Sequence, residues 1–145
     1  MLMEMSNLIT PEVYETIFRM GHLDELVIAD ANYYASAMSK KVVFANAHEN
    51  HLLFAAILKY FPLDDDEEFP INVMTPDHGY KQIPEIWNDY ETILGKLFYK
   101  EKMILNKISR EEFYARSKNA YATIQTSDPR LYADIIIRKG VVIDE

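Results

Sequence analysis

The chain has no cysteine, and among its 145 residues only four are glycine and one is tryptophan. The missing thiols exclude a disulfide framework, a thiolate zinc site and a cysteine nucleophile. No Gly-x-Gly-x-x-Gly, Walker loop or Gly-x-Ser-x-Gly elbow occurs, so dinucleotide, ATP and ordinary serine hydrolase chemistry lack support. Basic residues are also short: 15 Lys and Arg against 23 Asp and Glu leave a formal charge of −8. Such a chain repels phosphate backbones and anionic lipid, so neither nucleic acid nor a membrane is expected as a partner. No apolar run approaches the ~18 residues of a membrane span, and Met1 to Thr10 lacks the layout of a signal peptide. The expected compartment is the cytoplasm.

What is present is ordinary globular material, 49% hydrophobic and 26% charged, sufficient for one packed core over residues 1–145. Thr10-Pro11-Glu12 reads as a helix start, with a hydroxyl cap and proline at the first helical position. The helix would bury Val13, Ile17 and Met20, with Tyr14 and Phe18 widening the stripe, and Gly21 would end it in a left-handed conformation. Glu25–Ala29 is a buried strand ending at Asp30, and Val42–Ala45 a second. His51–Phe61 has helical spacing, with Leu52, Ala55, Ala56 and Tyr60 on its apolar face. An acidic loop, Leu63–Pro70, precedes a strand at Ile71–Thr75 and a turn at Pro76-Asp77-His78-Gly79. A helix over Pro84–Tyr99 would bury Ile86, Trp87, Tyr90, Ile93, Leu94 and Leu97. Strand character returns at Met103–Ile108. A capping box at Ser109–Glu112 opens a helix to about Asn119. Strands at Tyr121–Thr126 and Asp134–Arg138 close the chain, separated by a Ser127-Asp128-Pro129 turn. Interleaved helices and strands predict an α/β fold: a single layered domain, a mixed central sheet covered by helices.

Open α/β sheets bind ligands at the carboxyl ends of their strands, which draws attention to Asp30 and to Tyr132-Ala133-Asp134. His22 is the sharpest single residue. Its imidazole, with an unperturbed pKa of about 6.5, both donates and accepts protons near neutrality, although it could equally cap helix carbonyls. His48-Glu49-Asn50-His51 spaces its histidines three apart instead of the four of a helical zinc protease motif, so helix-start polarity is the better account. The run Asp64–Glu68 lacks the glycine and alternate spacing of a calcium loop; within it Asp64, beside apolar Phe61-Pro62-Leu63, stands apart. Tyr114 and Tyr132 lie beside polar neighbours at element edges, where aromatics suit carbohydrate faces as well as cores.

These segments together resemble the fucose mutarotase/ribose pyranase family. The likeness runs from Leu8-Ile9-Thr10-Pro11-Glu12 through Met20-Gly21-His22-Leu23-Asp24-Glu25-Leu26-Val27-Ile28-Ala29-Asp30-Ala31, resumes at Glu112-Phe113-Tyr114-Ala115-Arg116, and ends with Leu131-Tyr132-Ala133-Asp134 and Arg138-Lys139-Gly140-Val141. The stretch Pro84–Leu94 looks more like the fucose branch than the ribose branch. The resemblance implies an isomerase that interconverts the α and β anomers of a pyranose, L-fucose before D-ribose, with no cofactor and no metal. It implies that His22 is the proton donor, and that Asp30, Arg110, Tyr114, Tyr132, Ala133, Asp134 and Asp64 lie at the sugar. It also implies a ring-shaped homo-oligomer, often a decamer, with pockets near subunit contacts. Two departures stand out: Leu23 where glycine is frequent, and Asp134 where asparagine is usual. An ionised carboxylate at that second position accepts hydrogen bonds but donates none. Two rival expectations remain: a sugar-binding module without turnover, and a metal-dependent hydrolase built from His48, His51 and the acidic loop.

Overall fold

Eleven elements follow one another in the computed structural model, which describes residues 1–64, 66, 69–77, 79–97 and 103–144. They are α1 Pro11–Arg19, β1 Glu25–Ala29, α2 Ala35–Met38, β2 Val42–Phe44, α3 Asn50–Leu58, β3 Ile71–Met74, α4 Glu85–Leu97, β4 Asn106–Ile108, α5 Arg110–Asn119, β5 Ala122–Gln125 and β6 Ile135–Arg138. The six strands form one sheet in the order β2-β5-β1-β6-β3-β4. β1, β2 and β5 pair in parallel, as do β3 and β4, while β6 runs antiparallel between β1 and β3. The sheet is therefore mixed, with β6 alone reversed among the described strands.

The central strands bury both faces, which is why Leu26-Val27-Ile28 and Ile135-Ile136-Ile137 are unbroken apolar runs. Leu26, Ile28, Ile135 and Ile137 face a large core with Val13, Ile17, Leu53, Phe54, Ile57, Ile86, Trp87 and Tyr90 of α1, α3 and α4. Val27, Ala29 and Ile136 face a smaller one with Ala35 and Phe113 of α2 and α5.

Several expectations shift. Thr10 caps α1 as read, its Oγ1 accepting the Val13 N–H at 3.3 Å. The helix ends without a left-handed glycine, however: Met20 takes extended backbone, the Asp24 carboxylate accepts the Gly21 N–H at 2.7 Å, and the left-handed residue is Leu23, φ 73°. Phe18 is 87% exposed; it lies off the arc that Val13 and Ile17 direct to the sheet. On α3 the buried face is Leu53, Phe54, Ala56 and Ile57, with Leu52 and Tyr60 exposed. Nearly every side of that helix is apolar, so periodicity alone sets its phase poorly. Leu97 is exposed at the end of α4; Phe98 and Tyr99, expected in the same helix, lie outside the described residues, as do His78 and Asp65, Glu67 and Glu68 of the acidic loop. The four-residue α2 has no counterpart in the sequence reading, being too short for a periodic signal. Among the described residues no helix is long and apolar enough to cross a membrane.

Candidate active site

The five co-directional strands end at one edge of the sheet, and reversed β6 begins there. Asp30 follows β1, Asp77 lies three residues after β3, Arg110 opens α5 just after β4, and Asp134 precedes β6. These residues surround a cleft of about 790 Å³, together with Tyr33, Tyr80, Tyr114 and Tyr132. The fold thus brings together five residues singled out in the sequence: Asp30, Arg110, Tyr114, Tyr132 and Asp134.

Each is held from behind. Arg110 lies with its guanidinium 5.3 Å above the centre of the Tyr114 ring and its Nη1 3.5 Å from Asp77 Oδ2, which aims a fixed cation into the cleft. The Tyr132 hydroxyl donates to Asp77 Oδ1 at 3.3 Å, and its ring packs against Tyr80 with centroids 4.9 Å apart. Tyr132 has φ 56°, an uncommon value for a non-glycine residue. Neighbouring donors hold it there: Trp87 Nε1–H reaches the Tyr132 carbonyl at 3.0 Å, while Asn50 Nδ2 and the Tyr90 hydroxyl reach the Ala133 carbonyl at 3.0 and 2.5 Å. Ala133 is thereby buried behind the cleft, where its backbone fixes the loop that presents Tyr132 and Asp134.

Asp128 anchors the same region. It is fully buried, accepts the Asn50 N–H at 2.9 Å, and receives Arg130 Nε and Nη2 at 3.0 and 2.7 Å. Burial pushes its carboxyl up, but these donors and the guanidinium charge outweigh burial and hold it below the usual carboxylate range. Arg130 also donates to Asp89 at 2.9 Å and lies 3.0 Å from His51 Nδ1. With a guanidinium on His51, and His48 bonded to Ser127 at 2.6 Å, the two histidines do not converge on a metal position.

Asp30 and Asp134 form the electrostatic centre of the cleft. The Asp30 N–H donates to Asp134 Oδ1 at 2.8 Å, and the Asn32 N–H donates to Asp30 Oδ1 at 2.8 Å. Burial, then the charge of Asp30, pushes the Asp134 carboxyl far above its ordinary value. Burial also raises Asp30, against the lowering effect of the Asn32 N–H and of Asp134.

His22 and Asp64 lie elsewhere. His22 precedes β1, at the opposite end of that strand from Asp30, so five strand residues at about 3.3 Å each leave roughly 16 Å of sheet between them. Its Nε2 is 3.5 Å from Asp64 Oδ1, and Arg138, at the end of β6, sits 3.9 Å from the other Asp64 oxygen. Within one chain the imidazole and this carboxylate make a cluster at the amino edge of the parallel strands. Asp77, Tyr80 and Tyr33 were not singled out in the sequence. The signal for Asp77 was available, because it follows a strand at the ligand-bearing edge, whereas nothing local marked Tyr33 or Tyr80.

Comparison with known proteins agrees with this architecture. A model of the RbsD / FucU transport protein family matches residues 3–142. A fucose mutarotase of Homo sapiens is 38% identical over 93% of this chain and 90% of its own, and an L-fucose mutarotase of Glaesserella parasuis 32% identical over 92% and 90%. A crystal structure of the fucose mutarotase from Streptococcus pneumoniae in complex with L-fucose superposes with a TM-score of 0.91, at 37% identity, covering 98% of this chain and all of that one.

Proposed function

The chain belongs to the RbsD / FucU transport protein family, and from that premise we propose that it is a mutarotase, an isomerase that interconverts the anomers of L-fucose. The observation that carries this reading is the cleft at the carboxyl edge of the sheet. Three acids, a guanidinium and tyrosine rings converge there, in a fold shared with a fucose mutarotase in complex with L-fucose.

Mutarotation moves protons only. A base removes the anomeric hydroxyl proton as the bond from the anomeric carbon to the ring oxygen breaks and an aldehyde forms. An acid protonates the released ring oxygen. Rotation about the bond to the aldehyde carbon, followed by the reverse transfers, closes the ring on the other face. Asp30 accepts hydrogen bonds from sugar hydroxyls and Arg110 donates to them. Tyr80 and Tyr132 offer a face for the ring, and Tyr114 a phenolic hydroxyl. General acid–base assistance contributes roughly 10²–10⁴ in rate, and we assign this work to His22.

That assignment requires a second copy of the chain, because within one chain His22 sits at the wrong edge. The surface supports such a contact. Leu23 beside His22, and Val141, Val142 and Ile143 after β6, are exposed, as are Tyr34 and Leu131 on the rim of the cleft. Two different apolar edges on one molecule suit head-to-tail packing, which closes into a ring. In this ring His22 and Asp64 of one copy complete the cleft of the next.

Saturation-difference NMR on L-fucose tests the activity. Exchange between anomers rises with protein concentration and collapses in His22→Ala; unchanged exchange in that variant removes His22 from the reaction. Running D-ribose in the same assay separates the two branches of the family. The distance of His22 from its own cleft favours one second reading, a sugar-binding module without turnover. Calorimetric binding of L-fucose with no catalysed exchange would establish it.

A further inference from the structure

Two carboxyl groups stand side by side in the wall of the cleft, and the position of the second implies a chemistry that the mutarotase reading does not by itself supply. We propose that Asp30 and Asp134 hold a single proton between them, so that Asp134 meets the sugar as a neutral carboxylic acid that donates as well as accepts. The inference rests on the mutarotase reading for the identity of the sugar, and on geometry for the proton.

The geometry is set by strand pairing. β1 and β6 are antiparallel neighbours with Ile28 opposite Ile135, so continuing the register puts Asp134 across from Ala29 and next to Asp30. The Asp30 N–H already donates to Asp134 Oδ1 at 2.8 Å, which sets the second carboxyl against the backbone of the first. Both are almost wholly buried, at 6% and 7% exposure, yet both line the cleft. Among the described residues neither forms an ion pair: Arg110 lies against Asp77 and Arg130 against Asp128 and Asp89. Two adjacent buried carboxylates without a cation cannot both ionise cheaply, so the pair titrates as a unit and keeps one proton.

The surroundings decide where that proton rests. Each carboxyl accepts one backbone N–H at 2.8 Å, Asp30 from Asn32 and Asp134 from Asp30, and burial with the charge of Asp30 pushes Asp134 the further up, so the charge settles on Asp30 and the proton on Asp134. Of the other titratable groups that face the pair, Asp128 raises Asp30 through its charge. Tyr33 and Tyr90 are pushed up by burial and stay neutral. Arg110, Asp77, Tyr80, Tyr114 and Tyr132 line the same cleft. A protonated carboxyl offers one donor and retains an acceptor, the same complement that an asparagine amide presents. Asp134 therefore serves a sugar oxygen that an ionised carboxylate would repel.

The test reads affinity, which is separate from proton transfer at His22. L-fucose binding is measured by calorimetry from pH 5 upward, as far as the fold survives, for the wild type and for Asp134→Asn. In the wild type the affinity falls by roughly tenfold or more as the shared proton is lost, since a buried donor disappears and a second negative charge appears. In Asp134→Asn it stays flat over the same range. A flat wild-type profile, or a variant that keeps the wild-type slope, overturns the inference. A second measurement needs no sugar. Carboxyl ¹³C NMR of the ligand-free wild-type protein shows one aspartate side chain still protonated at pH 7, absent from Asp134→Asn; a wild-type spectrum with every aspartate ionised at pH 7 also overturns it. Should L-fucose not bind at any pH while that protonated carboxyl is present, the mutarotase reading fails and the shared proton stands.

Discussion

Asp134 and Asp128 are buried carboxyls only six residues apart, and their surroundings push them in opposite directions. Asp134 is raised, so the folded chain holds a proton there that the unfolded chain releases above about pH 4. Its favourable contribution is complete at low pH and is lost as pH rises toward the folded value. Asp134→Asn removes that titration and keeps an oxygen to accept the Asp30 N–H. The melting temperature of the variant is therefore expected to exceed the wild type by a few degrees at pH 7, with the gain vanishing near pH 4 in parallel thermal scans. Asp128 is lowered, so its contribution is present above about pH 3.9 and is lost as pH falls through the folded value. Arg130 is 23% exposed and keeps Asp89, so removing Asp128 mainly orphans the Asn50 and Arg130 donors, at about 1–3 kcal/mol. Asp128→Ala is expected to lose that much in urea unfolding at pH 7, and much less near pH 3.

At the scale of elements, the turn between α1 and β1 and the end of β6 account for two motifs that sequence alone left as family signatures. Leu23 occupies a left-handed conformation, which costs a side chain roughly 1–2 kcal/mol and a glycine very little. A glycine here would adopt the same backbone without that cost. Leu23→Gly is expected to stabilise the chain by about 0.5–1 kcal/mol after the larger chain entropy of glycine is subtracted, measurable as a shifted urea midpoint at constant slope. In Lys139-Gly140-Val141, Lys139 Nζ donates to the Ile17 and Met20 carbonyls at 3.0 and 2.5 Å, closing the end of α1. A Cβ on Gly140 would sit 2.7 Å from the Leu63 carbonyl oxygen. Gly140→Ala is accordingly expected to destabilise by about 1–3 kcal/mol through overpacking. It should also weaken anomer exchange, because Leu63 leads directly into Asp64.

For the whole molecule, the separation of His22 from its own cleft turns an assembly question into an activity measurement. His22→Ala and Arg110→Ala variants are each expected to be nearly inactive in anomer exchange. Unfolded together and refolded at equal amounts, they are expected to recover about one quarter of wild-type exchange, since random head-to-tail pairing joins an intact cleft to an intact imidazole at that frequency. No recovery would put both groups to work within one chain. Mass photometry on the same mixture reports whether the chains assemble and how many copies each assembly holds.

Most elements were legible in the sequence because their signals are local. Thr10-Pro11 starts α1, the Ile135–Ile137 run can only be a buried strand, and Ser109 caps α5. The residues of the cleft wall were legible in part for a related reason, since Asp30 and Asp134 stand at strand ends where open sheets bind ligands. Sequence patterning also implied a sheet clad in helices, through short apolar runs interleaved with helically spaced stretches. Tertiary structure alone decided which of these residues meet. It reversed β6 between β1 and β3, and so set Asp134 beside Asp30 while carrying Lys139 to the edge occupied by His22. Strand direction is a property of pairing between segments whose facing residues, Asp30 and Asp134, stand 104 positions apart, and no local pattern encodes it.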